Sequence, residues 1–116
     1  MKRIFINLTP HPVVIMPEGA EARTVPASGM VARIHETTRT AEDNDGFSWT
    51  IVELGGIDNL PDPAWYTIFI VSMPLAMTLT VMGIERPDVV YPYGQVRDDQ
   101  GRIIGCRSLA SLRAAG

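Results

Sequence analysis

The chain has 116 residues, 46% of them hydrophobic, a net charge of −3 and a pI of about 5.2. That length predicts one domain over residues 1–116, with a core that needs no staples, and the acidic balance excludes bulk attraction to nucleic acid. One cysteine, Cys106, excludes an internal disulfide framework and a cysteine-based zinc site, and fits a reducing cytoplasm.

Residues 3–9, Arg-Ile-Phe-Ile-Asn-Leu-Thr, read as a first strand with Ile4 and Ile6 on one face. The apolar run within Met-Lys-Arg-Ile-Phe-Ile-Asn is too short for a signal peptide. Pro10-His11-Pro12 breaks the strand, and Val13-Val-Ile-Met follows as a second, so the two are expected to form a hairpin around that corner. Residues 22–25 suit a brief edge strand. Residues 30–36 alternate, with Met30, Ala32, Ile34 and Glu36 on one face. Residues 37–46 hold Glu42, Asp43 and Asp45 and are expected to be a mobile loop, the first site of proteolysis. Residues 47–54 alternate again, with Phe47, Trp49 and Ile51 together.

Residues 64–84 carry the core signal, because no charge falls between Asp62 and Glu85. Tyr66 to Val71 is β-branched and aromatic on both faces, the pattern of a strand covered on two sides. Ser72 fits a helix N-cap, Pro74 fits the first turn, and Gly83 fits the stop. Between them Leu75, Ala76, Met77, Leu79, Val81 and Met82 are apolar almost all round, which predicts a buried helix over about residues 72–82. The stretch is long enough to span a bilayer. Ser72 and Pro74 at its middle, and no flanking Lys/Arg cluster, argue against a membrane.

Val89-Val-Tyr begins another strand, interrupted by Pro92 and Gly94. Residues 95–107 read as a C-terminal hairpin turning at Asp98-Asp-Gln-Gly, and residues 108–115 as a short helical turn. The resulting fold class is α+β: a mostly antiparallel sheet or a small, partly open β-barrel, one buried helix and a C-terminal β-hairpin.

Four pieces carry a resemblance: Asn7-Leu-Thr-Pro-His-Pro-Val; Val25-Pro-Ala-Ser-Gly-Met-Val-Ala-Arg; Ile68-Phe-Ile-Val-Ser with Arg86-Pro-Asp-Val-Val-Tyr-Pro; and Val96-Arg-Asp-Asp-Gln-Gly-Arg-Ile-Ile-Gly-Cys-Arg-Ser-Leu. Over nearly the whole chain they resemble a family of small uncharacterised proteins of bacteriophages, prophages and other mobile elements. The chain departs from that pattern at Tyr91-Pro-Tyr-Gly, where a longer Asp/Gly/Pro-rich segment is usual. The resemblance implies an accessory role in the cytoplasm of a host cell. It supplies no catalytic residues.

No catalytic set stands out. Cys106 has no histidine close in sequence to activate it, Ser28 and Ser72 lack the nucleophile-elbow pattern, and Gly55-Gly56 lacks the lysine of a phosphate loop. His35 with Glu36, Asp43 and Asp45 matches no metal-ligand spacing, so no metal and no cofactor are expected. The candidate contact residues are polar groups in two places: Asn7, Thr9 and His11 at the N-terminal corner, and Tyr91, Tyr93, Arg97, Asp98, Arg102 and Arg107 in the C-terminal third. Arginine beside tyrosine grips phosphate or an acidic surface and stacks on rings. Arg97, Asp98 and Arg102 are equally explained by pairing across a surface hairpin.

The reading these features favour is a non-enzymatic binding module that counteracts a host defence component by binding a host protein or a nucleotide-like ligand. The alternatives are a virion or assembly protein and an enzyme with an unrecognised site. A homodimer is expected, paired through terminal strand edges and an aromatic patch.

Overall fold

A computed structural model describes residues 2–115. The elements in order are β1 (Ile4–Asn7), β2 (Val13–Ile15), β3 (Arg23–Val25), β4 (Arg33–Glu42), β5 (Ser48–Asp58), β6 (Thr67–Ile70), α1 (Met73–Val81), β7 (Val89–Arg97) and β8 (Ile103–Ala110). Six strands form one sheet in the order β1-β6-β7-β8-β2-β3, while β4 and β5 pair only with each other. The six-stranded sheet curls until its ends nearly meet. At that seam Asn7 bridges to Ala27, Ser28 N–H donates to the Asn7 carbonyl at 3.0 Å, and Ala32 N–H donates to the Leu8 carbonyl at 3.0 Å. Of the two arrangements expected, the partly open barrel is the one that forms.

β6, between β1 and β7, is covered on both faces. Phe69 and Ile70 are both under 2% exposed although they point to opposite faces. On one face Phe69 packs with Leu8, Val71, Leu75, Leu79, Val89 and Tyr91. On the other Ile70 packs with Val13, Val25 and Cys106. The pairing explains the split: Ile6 opposes Phe69, which opposes Val89, and Asn7 opposes Ile70, which opposes Val90, so parallel neighbours stack like with like. The β6–α1–β7 segment is a parallel crossover unit that lays the helix on the first of these faces.

Three of the five ladders in the barrel are parallel, β1–β6, β6–β7 and β2–β8. The hairpin expected between residues 3–9 and 13–16 does not form. β1 pairs with β6 and β2 with β3 and β8, because the Pro10-His11-Pro12 corner carries the chain past the seam. Nor is the C-terminal hairpin a free edge, since β8 lies between β7 and β2. β7 runs through Pro92 and Gly94 unbroken, with Pro92 opposite Leu109. β8 extends to Ala110 in place of the expected helical turn. Gly105 allows β2 to approach, for a β-carbon there would lie 2.8 Å from the Val14 carbonyl oxygen.

The helix obeys its end signals. Ser72 takes the N-cap position, though its hydroxyl makes no capping hydrogen bond, Pro74 sits in the first turn, and Gly83 at φ 73° closes the C-terminus, with Ile84 N–H on the Leu79 carbonyl and Gly83 N–H on that of Thr80. Its burial is one-sided. Leu75, Ala76, Thr78 and Leu79 are covered, whereas Met73, Met77 and Val81 are exposed, because the barrel offers it only one surface. No described helix is long and apolar enough to cross a membrane.

The largest correction concerns residues 37–46. The expected mobile loop is mostly strand: β4 runs to Glu42 and the turn is only Asp43 to Phe47. Thr37, Thr38 and Thr40 are β-branched and favour this geometry, and the polarity that resembled a loop belongs to a ribbon standing in solvent. A bulge opposite His35 and Glu36, at Gly55, marks where the ribbon leaves the body. Below it Ile34, Ile57 and Leu60 pack on the core. Above it all but Ala41 and Ile51 are exposed to water. The radius of gyration of 17.4 Å, against about 13 Å for a compact chain of this length, registers the projection.

Candidate functional site

Two of the candidate contact residues come together on one groove. His11 and Pro12 line it from the corner, Val13 and Val14 from β2, Tyr93, Gly94 and Gln95 from β7, and Ile103 to Cys106 from β8. The groove is open, encloses about 450 Å³, and is mostly apolar. Tyr93 stands 59% exposed, with Ile103 and Ile104 also at the surface, and Tyr91 meets the Tyr93 ring edge-on at 6.4 Å. The corner fixes His11 by its backbone: the His11 carbonyl accepts from Asn7 Nδ2 at 2.8 Å, and the Thr9 hydroxyl, whose one proton goes to Asn7 Oδ1, lies 3.0 Å from it.

The other candidates are engaged within the fold. Asn7 is 1% exposed, and its amide also donates to the Val25 carbonyl while Oδ1 accepts from Thr9 N–H and Thr9 Oγ1. It holds the seam and the corner, and presents nothing to a ligand. Tyr91 is buried in the helix-side core, so only Tyr93 of the two tyrosines faces out. Asp98 shapes the hairpin turn. Its carboxylate accepts from the N–H groups of Gln100 and Arg102 and from Arg102 Nε, and these donors, the Arg102 backbone foremost, hold its pKa below the usual range. Arg97 takes no part in that ion pair. It donates to the Gly101 carbonyl and to Gln95 Oε1. Arg107 reaches the Met16 carbonyl at 3.1 Å and lies 4.0 Å from Glu18.

Cys106 borders the groove as a buried thiol that donates weakly to the Val14 carbonyl at 3.5 Å, and burial pushes its pKa up. That is the opposite of an activated nucleophile. Among the described residues no group of three or more His, Cys, Asp or Glu side chains is arranged to hold a metal ion, and His35 instead lies 3.7 Å from Asp58.

Among the groove residues missed by sequence reasoning are Gln95, Ile103, Ile104 and Gly105. Gly105 carried a usable signal, because a lone glycine inside a strand pattern marks a close backbone approach. Ile103 and Ile104 carried none, since two adjacent apolar residues in a strand pattern read as core and only the structure shows both at the surface.

Compared with models of known families, with curated proteins and with solved structures, the chain matches none.

Proposed function

We propose that the protein acts by binding, as an accessory module of the kind phages and mobile elements carry, and that its contact surface is the groove between His11 and Tyr93, which takes a segment of a host protein. The groove carries this reading. Proline, valine, isoleucine and a half-free tyrosine make a surface suited to an apolar peptide segment with few polar anchors, here Gln95 and His11. The resemblance to phage-borne proteins supplies the setting, in which a host defence component is the favoured partner. A nucleotide-like ligand is the weaker fit, because the nearest cations, Arg97 and Arg107, already serve Gly101, Gln95 and Met16.

The test pairs capture with a groove variant. The tagged protein is incubated with host lysate and examined by native mass spectrometry, alongside Tyr93→Ser combined with Ile104→Ser. A host protein held by the parent and lost from the variant, with thermal unfolding unchanged, supports the reading. A partner retained equally by both places contact elsewhere, and added mass from nucleotide alone selects the small-ligand alternative. An assembly role is favoured by one observation, the projecting ribbon with two open edges, and a high-order ring in light scattering would select it.

A further inference from the structure

We infer that the β4–β5 ribbon is a self-association element, and that its occupant is the same ribbon of a second copy, packed face to face and antiparallel on the side that carries Trp49. This does not depend on the groove. It rests on an isolated two-stranded ribbon whose two faces differ in apolar content and in charge.

The ladder is regular from Arg33 opposite Asp58 to Glu42 opposite Ser48, with one bulge. Yet a two-stranded ribbon with water on both faces is marginal by itself. Above the bulge the strand residues are exposed except Ala41 and Ile51, which are half-buried, and both lie on the Trp49 face. There Trp49 opposes Ala41, and Ile51 opposes Arg39. Phe47 stacks on Trp49 with centroids 6.1 Å apart, and the two remain 65% and 44% exposed. Such a patch on a projecting element is the kind of surface that proteins cover.

Charge selects which face and which partner. Above the bulge the Trp49 face has one cation and one anion in its strands, Arg39 and Glu53, joined across the ribbon at 3.0 Å. A neutral face with its charges already paired meets its own copy without repulsion, and offers little to a strongly acidic or basic partner. The opposite face carries Glu36 and Glu42 without a cation above the bulge, so two copies of it would repel. An antiparallel two-fold arrangement also keeps the acidic tips, Asp43 and Asp45, at opposite ends. Each then faces the partner's ribbon base, where Arg33 and His35 share the Trp49 side with Asp58 across from them.

The area suits a weak, reversible association. At about 3.4 Å per residue the face is roughly 35 Å long and on the order of 12 Å wide, so two copies remove roughly 850 Å² from water. That is the size of a weak, transient interface, and it gives a dimer that dissociates on dilution.

Sedimentation at micromolar concentration reads the state directly. The parent is expected at twice its 12.7 kDa chain mass. Trp49→Glu and, separately, Phe47→Glu are expected to halve that mass while far-ultraviolet circular dichroism keeps the barrel signal. Both side chains are exposed in the single chain, so neither change should unfold it. A Cys106→Ser background carrying Thr37→Cys, midway along the Trp49 face where the two-fold axis crosses it, should form a disulfide-linked dimer under mild oxidation, and one carrying Thr38→Cys, midway along the other face, should not. A monomeric parent, a larger ring, a dimer that survives both glutamate variants, or equal cross-linking at both positions each overturns the proposal.

Discussion

Asn7 and Val25 belong to strands that never form a ladder, yet they touch: the Asn7 amide donates to the Val25 carbonyl at 3.1 Å across the open side of the barrel. One backbone bridge and one side chain thus stand in for a strand pairing. The same amide nitrogen reaches the His11 carbonyl, so one buried residue ties β1, β3 and the proline corner.

Asn7→Ala removes these donors and strands the Val25 carbonyl without its amide partner. The expected loss is about 2–4 kcal/mol, since two hydrogen bonds go and buried acceptors are left unpaired. Asn7→Asp should cost at least as much, because a carboxylate cannot donate to either carbonyl and is itself buried. Urea unfolding measures both. A loss below about 0.5 kcal/mol in Asn7→Ala, the range of surface substitutions, would mean that the backbone bridge alone holds the seam.

The helix offers a second test through residues two positions apart. Leu79 is 4% exposed and Val81 is 78% exposed. Leu79→Lys should prevent soluble folding, because an unpaired ammonium would be buried at a cost of several kcal/mol. Val81→Lys should change stability by no more than about 0.5 kcal/mol, helped slightly by the helix C-terminus. Comparable losses at the two positions in thermal unfolding would contradict the one-sided packing.

This contrast also measures how far the sequence could be read. The helix limits were legible because Pro74 and Gly83 each answer a local backbone need, while Ser72 takes the N-cap position without its hydroxyl bonding a first-turn N–H. β6 was legible because a two-sided core requires apolar residues at every position. The covered face of the helix was not, since Met77 and Leu79 are equally apolar and only the barrel decides between them. The ribbon was misread because Thr-rich polar strands resemble a loop when neither face touches the body. Parallel pairing was invisible, as Ile4 carries no mark that Thr67 is its partner. Of the candidate contact residues, His11 and Tyr93 line the groove, whereas Asn7 and Asp98 have the same polar character and spend it inside the fold.

Acid should expose the Arg86–Asp88 pair. The two side chains are 13% and 14% exposed, Arg86 Nε lies 2.9 Å from Asp88 Oδ1, and Arg86 also donates to the Pro61 carbonyl. The Arg86 guanidinium holds the Asp88 pKa below its ordinary value. A carboxylate depressed in the folded state stabilises at any pH above its unfolded pKa of about 4, and that contribution is lost as pH falls through the lower folded value. Asp88→Asn should therefore cost about 2–3 kcal/mol at neutral pH, where it leaves a guanidinium half-covered and unpaired. The gap between variant and parent should narrow steadily below about pH 4. Urea titrations from neutral pH to strong acid measure it. A gap constant across that range would remove the ion pair as its cause.

The barrel's connectivity sets a timetable for synthesis. β1 must wait for β6, and β2 gains its place beside β8 only when Cys106 can meet Ile15. The first quarter of the chain thus emerges from a ribosome with no sheet to join, while the ribbon between can zip from its own turn as soon as it is made. Closure of the barrel belongs to the last strand translated in the fold, and the long loops that it closes place folding in the slow, milliseconds-to-seconds class of β-rich domains. Until then β2 and β3 are an unsheltered pair, and shielding them falls to whatever binds nascent chains in the cell that makes this protein.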